Sequence, residues 1–469
     1  MAGNRLRAIL DDMSPAQYEL LAGTKQGDPL CMAFPGKRGM HAGFQGSEIK
    51  REQCQDTWQA LIAREPRPGK RVAYIHIPFC QYRCLYCGFF QNYAEEKIQT
   101  EYIDALVREL QMHADTRYLS GIKLNAVFIG GGTPSSLSPV NMAKLLSAVR
   151  SYLPLTNDYE LTLEARINDL IPAKMEVWLA YGVNRVSIGV QSFHTKVRQA
   201  VGRVDHTEAI LRKLQLLSGY NQAAVIMDLM YGLPYQTSEI WLKDLQLLTM
   251  ASIDGWDLYQ LNVYETSALK AAIDAGKLPA AASIAEQARM FASAEAFLAD
   301  NAFSRISVCH WSKSNRERNM YNTLTKSGLA VIPFGAGAGG AVCGVSLSLE
   351  RDIKRYIQHI LQGNKPIAGM RQPHPWYGLQ KTVLGQLKQG YIDLHSLAAR
   401  YGPDVMEVGL LLDRWERRGL LIAGTQAARL TVAGQFWYMN IAQSILECLN
   451  ALMKHHPAAA FEEVLNETK

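Results

Sequence analysis

The 469-residue sequence has no run of about 18 apolar residues, no internal repeat, no low-complexity tract and no block of like charge. The first absence argues against a membrane-spanning helix, and the second and third against an array of repeats or a biased linker. The last argues against a nucleic-acid-binding tail, since 49 basic and 43 acidic residues are interspersed and the net charge is only +6. The opening MAGNRLRAILDDMSPAQYELL is broken by Arg, Asp and Glu every few residues and never forms a secretory apolar core. A cytoplasmic chain is expected. Cysteine is sparse and scattered, with eight residues at 31, 54, 80, 84, 87, 309, 343 and 448. In a large cytoplasmic chain the single tight group, at 80, 84 and 87, points to metal or redox chemistry rather than to disulfides.

What is present is material for one large core and a smaller domain: 48% of the residues are hydrophobic. Residues 1–70 mix short helical patterns with a segment punctuated by Gly and Pro, GDPLCMAFPGKRGMHAGFQG, and read as an N-terminal extension packing on something larger. From Arg71, six apolar runs (VAYIHI, NAVFIG, ELTLEA, RVSIGV, AVIMDLMYG and DLYQLNVY) alternate with helical patterns near 98–113, 139–152, 171–181, 206–218 and 238–250. Alternation of this kind predicts an α/β fold with a parallel sheet built from right-handed crossovers, curled into a partial (β/α)6 barrel with a lateral opening, over 71–370. Residues 371–469 change to three helices, a hairpin and a closing helix, a winged-helix-like order. Met and aromatic residues at helical spacing there are core positions.

The strongest chemical signal follows the first strand: His76-Ile-Pro-Phe-Cys80-Gln-Tyr-Arg-Cys84-Leu-Tyr-Cys87. Three thiolates at C-x3-C-x2-C spacing can ligate three irons of a cubane and leave the fourth open, where most ferredoxin-type sites use a fourth cysteine. S-adenosylmethionine (SAM) can chelate the open iron and be cleaved by one electron. The competing reading is a zinc site, but structural zinc takes four ligands and no second cysteine pair lies nearby.

This loop resembles the radical SAM signature. With its flanking Tyr74-Ile-His-Ile-Pro-Phe-Cys, it resembles the branch holding oxygen-independent coproporphyrinogen oxidase, the HemW-type haem chaperones and the anaerobic haem-degrading methyltransferases of the ChuW/HutW kind. The likeness spans about residues 71–469. Gly130-Gly131-Gly132-Thr133-Pro134 follows the second strand-like run, where consecutive glycines allow close backbone approach and leave N–H groups for a ligand. A plain tight turn would look the same. Glu164 closes the third run, Gln191 follows the fourth and Asp228 closes the fifth. The resemblance implies that Tyr74, Gly131 and Glu164 contact cluster-bound SAM, and that Tyr86, Gly132, Thr133, Gln191, Arg203 and Asp228 line a second SAM site.

Coproporphyrinogen oxidases carry Cys-Gly-Cys where this chain has Cys87-Gly88-Phe89, and HemW-type chaperones carry HNxxYW where it has Arg318-Asn319-Met320-Tyr321-Asn322-Thr323. The resemblance therefore points to a methyltransferase that opens haem to a linear tetrapyrrole and releases iron. It implies a [4Fe-4S] cluster, SAM in two copies, a low-potential donor such as flavodoxin, which a mildly basic surface suits, and a downstream tetrapyrrole-handling protein. Coproporphyrinogen III oxidation and haem trafficking are the alternatives. Cys309-His310-Trp311 is a haem-facing candidate, since Cys and His are axial ligands and Trp stacks on macrocycles, although such a string is more often core and rim. His76 and His194 read as structural, and FGAGAGG at 334–340 as a tight backbone approach or a flexible loop.

Overall fold

The computed structural model describes residues 5–38, 44, 46–326 and 329–453. Six parallel strands form its centre: β1 Val72–Ile77, β2 Leu124–Gly131, β3 Leu155–Ala165, β4 Arg185–Gln191, β5 Ala224–Tyr231 and β6 Gly255–Gln260, adjacent in that order. Between them run α1 Glu96–Ala114, α2 Pro139–Tyr152, α3 Pro172–Ala180, α4 Thr207–Gly219 and α5 Ser238–Met250, with α6 Ile284–Asp300 after β6. Local chemistry fixes the helix starts. The Ser138 hydroxyl accepts from Asn141 N and Pro139 takes the first helical position in α2, while Ser283 and Glu286 close a reciprocal capping box on α6.

Alternation along each strand makes the site. Ala73, Ile75, Val127, Ile129, Leu161, Leu163, Val186, Ile188, Val225, Met227 and Leu229 are buried in the main core beneath the helices. The intervening residues, Tyr74, His76, Phe128, Glu164, Arg185, Ser187, Asp228 and Asp257, therefore face the lumen. Polar residues inside otherwise apolar strands are thus the inward set.

The sheet is larger than six strands. β7 Ser304–Ser307 and β8 His310–Ser312 extend it antiparallel beyond β6, and β9 Val331–Phe334 joins the other side parallel to β1. Next come β10 Gly339–Val342, β11 Val345–Leu349, β12 Ile367–Arg371 and the short edge strand Glu48–Ile49, making thirteen in all. These later strands are only two to five residues long and do not stand out as runs, although Val345-Ser-Leu-Ser-Leu349 alternates. The sixth run also differs: its strand is Gly255–Gln260, and Leu261-Asn-Val-Tyr264 lies beyond it. A helix, Met320–Lys326, sits against β1 and β2, with Leu324 packed on Val72 and Ala126 and Tyr321 on Phe128.

The C-terminal region comprises α7 Tyr377–Lys388, α8 Leu394–Tyr401, α9 Gly409–Arg417 and α10 Tyr438–Met453. Tyr391–Ile392, Ala428–Leu430 and Leu421–Ile422 form a three-stranded wing among them. The N-terminal segment packs on this region: Trp415 Nε1 donates to Ala22 O (3.1 Å), Trp437 Nε1 to Leu30 O (2.9 Å) and Leu6 N to Glu407 Oε2 (2.7 Å). In the Gly/Pro-punctuated stretch, residues 39–43 and 45 lie outside the described residues.

Candidate active site

Cys80 ends a two-residue strand, Phe79–Cys80, that pairs in parallel with Asn92–Tyr93 and so ties down both ends of the cysteine loop. Leu85 N donates to Val201 O (3.3 Å) and Cys87 N to Cys84 O (3.1 Å). Cys80 and Cys84 are buried and Cys87 is half-exposed. Each sulfur has a donor: Thr133 Oγ1 to Cys80 (3.3 Å), an Arg166 guanidinium nitrogen to Cys84 (3.6 Å) and Phe89 N to Cys87 (3.3 Å). Burial pushes the Cys80 thiol up, and the Thr133 hydroxyl and Arg166 pull it back. Among the described residues, no three donors converge as a single metal ion requires. A cubane takes one thiolate on each of three irons and does not need such convergence. The three sulfurs on one loop, each with its own donor, fit a [4Fe-4S] cluster.

Above the loop, the glycine string acts as a spacer. A Cβ on Gly132 would lie 2.6 Å from Phe79 O, and one on Gly131, at φ 118°, would lie 2.6 Å from the His76 ring. The expectation that its N–H groups stay free is corrected: Gly131 N donates to Glu164 Oε2 (3.0 Å), Gly132 N to Ile77 O (2.8 Å) and Thr133 N to Phe79 O (2.7 Å). Close approach, not anion binding, is what the glycines supply here.

The structure brings Tyr74, Gly131 and Glu164 together. Tyr74 bonds His76 Nδ1 (2.9 Å) and lies within electrostatic reach of Glu164. Burial, then repulsion from Asp228, pushes Glu164 up to about 7. A second group surrounds Gly189. Arg203 donates to Tyr86 Oη (3.2 Å) and to Gly189 O, and a Cβ on Gly189 would lie 2.8 Å from Gln191 Nε2 and 3.2 Å from an Arg203 nitrogen. Gln191 Oε1 and Arg203 Nε are buried without a hydrogen-bond partner among the described residues. Gln191 also has φ 72°, at a register shift that ends β4 pairing, the kind of local irregularity found at binding sites. Gly132 and Thr133 lie beside the cysteine loop, where Thr133 Oγ1 donates to the Cys80 sulfur. Asp228 accepts from Ser187 Oγ (3.4 Å) and lies inside β5, three residues before its end, not at the terminus that the sequence suggests.

His310 is corrected more sharply. Its ring is 0% exposed, with Nδ1 2.9 Å from Asp257 Oδ2 and Nε2 3.1 Å from Glu317 Oε1. Burial opposes its charge, but the two carboxylates prevail and push its pKa up to about 9. A carboxylate faces each nitrogen and favours the protonated ring, which has no lone pair to offer iron. Cys309 is half-exposed, and burial pushes its thiol up to about 11. His76, pushed down to about 4 by burial, holds Tyr74 and Gln91, as a structural histidine does. His194 Nδ1 is buried with no partner among the described residues. FGAGAGG forms a tight approach: Gly335, at φ 93°, would place a Cβ 2.5 Å from His76 O, and Ala336 N donates to Tyr102 Oη (2.9 Å).

Sequence reasoning missed Arg185, Asp257 and Glu317, whose side chains form the floor of the lumen. Arg185 and Glu317 are joined by bonds of 3.0–3.2 Å. For Arg185 and Asp257 the signal was a charged residue within an apolar strand, as in Arg185-Val-Ser-Ile and Trp256-Asp257-Leu; Glu317, in the polar segment Ser314-Asn-Arg-Glu-Arg-Asn319, carried none.

A partial parallel barrel with a three-cysteine loop at the carboxyl end of its first strand defines a SAM-dependent iron–sulfur protein. Residues 74–248 match the radical SAM superfamily. The chain is 35% identical over 421 residues to the anaerobilin synthase of Escherichia coli O157:H7, covering 89% of this chain and 93% of that one. It is 28% identical over 374 residues to the haem chaperone HemW of Bacillus subtilis, covering 78% and 96%. The crystal structure of coproporphyrinogen III oxidase (HemN) from E. coli superposes with a TM-score of 0.72 at 21% identity, covering 83% and 93%, which shows the shared fold. The chain belongs to the radical SAM superfamily, in the family of the anaerobilin synthase. Its cofactors are accordingly a [4Fe-4S] cluster and SAM.

Proposed function

We propose that this protein degrades haem without oxygen, methylating the porphyrin and opening it to a linear tetrapyrrole with release of iron. The similarity to anaerobilin synthase along nearly the whole of both chains carries this reading. Cys80, Cys84 and Cys87 would hold the cluster. Bound there and reduced, cluster and SAM together supply a strong hydrogen-atom abstractor. The residues around it bind and shield: Tyr74, Gly131 and Glu164 on the cluster side, and Tyr86, Gln191 and Arg203 around Gly189 for a second SAM, whose carboxylate suits the Arg203 guanidinium and whose ammonium suits the unpaired Gln191 Oε1. Gly132, Thr133 and Asp228 would line the same second site, with Asp228 suiting a ribose hydroxyl. We place the reaction in the cytoplasm; among the described residues no helix is long and apolar enough to cross a membrane. A flavodoxin-like donor would supply electrons, and a tetrapyrrole-handling protein would take the product.

The likeness to HemW favours haem trafficking as the second reading. Anaerobic incubation of the reconstituted protein with reductant, SAM and haem separates the two. Loss of the Soret band, with formation of S-adenosylhomocysteine and 5′-deoxyadenosine, is expected. Haem bound and unchanged under these conditions would establish trafficking, and turnover of coproporphyrinogen alone would establish the oxidase. Cys84→Ala should abolish SAM cleavage; cleavage that persists would overturn the cluster assignment.

A further inference from the structure

Helix α7 carries Lys381, Gly385 and Lys388 at i, i+4 and i+7, a single stripe along one face. The middle of that stripe meets the end of helix Met320–Lys326: a Cβ on Gly385 would lie 3.6 Å from Lys326 O. Lys326 and Lys381 both lie within electrostatic reach of Lys388 where the two helices touch. The end of α7 is also fastened beside β8, since Val308 N donates to Lys388 O (3.0 Å) and Leu258 N to Cys309 O (2.9 Å). Cys309 feels Asp257 from the lumen on one side and Lys326 and Lys388 on the other. Tyr259 continues the inward row of β6, within reach of Asp257, Asp228, Cys309 and Glu164.

Among the described residues this cationic group has no ion-pair partner. Sixteen ion pairs join described residues, and none includes Lys326, Lys381 or Lys388. Lys381 rests over the ring of Tyr377, 5.1 Å from its centroid. Burial, with repulsion from Lys326 and Lys381, pushes Lys388 down to about 8. Half-buried like charges repel one another until an anion neutralises them.

We propose that Lys326, Lys381 and Lys388 form a subsite for the carboxylate side chains of the porphyrin, the two propionates in the case of haem, with the macrocycle extending past Cys309 toward Tyr259. The inference rests on the haem reading and adds the orientation of the substrate. Lysine suits a propionate because each ammonium is a point charge on a flexible stem and follows a rotating carboxylate without requiring planar alignment.

The test titrates the full-length, anaerobically reconstituted protein with haem and with haem dimethyl ester, in which both propionates are masked, following the Soret band and tryptophan quenching. The protein should bind haem about tenfold more tightly than the diester, and Lys388→Gln or Lys381→Gln should remove about that factor for haem alone. Lys388→Arg, which keeps the charge, should retain most of the preference, and equal melting temperatures exclude misfolding. Equal affinity for haem and diester, or equal losses for both in the Gln variants, would overturn the subsite and leave the haem reading standing. Binding of neither porphyrin would overturn both.

Discussion

Glu164 shows how one side chain can tie cofactor geometry to proton binding. Its carboxylate accepts the Gly131 N–H, yet burial and Asp228 raise its pKa from 4.5 to about 7. A carboxyl group whose pKa is higher in the folded state binds its proton more tightly there. The resulting stabilisation is present below about pH 4.5 and is lost as pH rises to about 7. Glu164→Gln, which imitates the neutral form and still accepts from Gly131, should therefore match the wild type in denaturant melts of the apo-protein at low pH. At pH 8 it should exceed it by about 1–3 kcal/mol. Equal stability at both pH values would mean that the carboxylate is already compensated. Gly132 makes a steric counterpart. Gly132→Ala would drive a methyl group into the Phe79 backbone and displace the strand bearing Cys80, whereas a Cβ on Gly88, in the same loop, would meet nothing within 4 Å. Lower iron and sulfide content is expected for Gly132→Ala, at a folding cost of about 1–3 kcal/mol, with Gly88→Ala unchanged in metal analysis.

Between elements, the decisive contact is the charged row that crosses β4, β6 and β8. Arg185, Glu317, His310 and Asp257 form a continuous chain in which Arg185, Glu317 and His310 are almost wholly buried. Glu317 comes from the segment after β8 and reaches into the lumen, fixing the path that leads to Tyr321 and the helix behind it; Glu160 in β3 accepts from the backbone N–H of Met320 and Tyr321 (2.8 and 3.0 Å). Removing one partner from a buried pair leaves an uncompensated charge. Glu317→Gln should cost about 3 kcal/mol in thermal or denaturant melts, because it strips the Arg185 guanidinium of its paired carboxylate and leaves His310 with Asp257 alone. The pKa of His310 is raised above its ordinary 6.5 to about 9, so its share of the stability is complete below about pH 6.5 and disappears as pH rises through 9. The wild type should therefore lose stability between about pH 7 and 10 more steeply than His310→Gln.

At the scale of the molecule, the N-terminal segment and the C-terminal helices form one packed body although they lie at opposite ends of the chain. Leu6 is 0% exposed, its backbone N–H is held by Glu407, Ser444 Oγ donates to Leu21 O (2.6 Å), and Arg414 Nε donates to Ala22 O (2.9 Å). Leu6→Ala should destabilise that body by about 2–4 kcal/mol. In hydrogen-exchange measurements the protection of α9 and α10 should fall while β1–β4 stay protected; uniform loss across the chain would show instead that the whole protein unfolds as one unit.

The parallel strands, the helices between them and the three-thiol loop are legible in the linear order of residues, because each is written within a few consecutive positions. Apolar alternation specifies a strand, caps such as Ser138-Pro139 specify a helix start, and Cys80 to Cys87 carry their own spacing. The wing and helices after Tyr377 were legible for the same reason. Which polar side chains share the lumen, and which partner each meets there, is settled by the folding of distant segments onto one another. His310 reads in the chain as a haem-facing candidate or a core residue, and in space Asp257 and Glu317 enclose it. The glycine N–H groups read as free, but Glu164 and the Ile77 and Phe79 carbonyls accept them. Lys326 and Lys388 lie 62 positions apart by their numbers in the chain and meet only because two helices cross. Charge interactions and hydrogen bonds depend on distance in space, and a linear pattern encodes that distance only for neighbours within a turn or a strand.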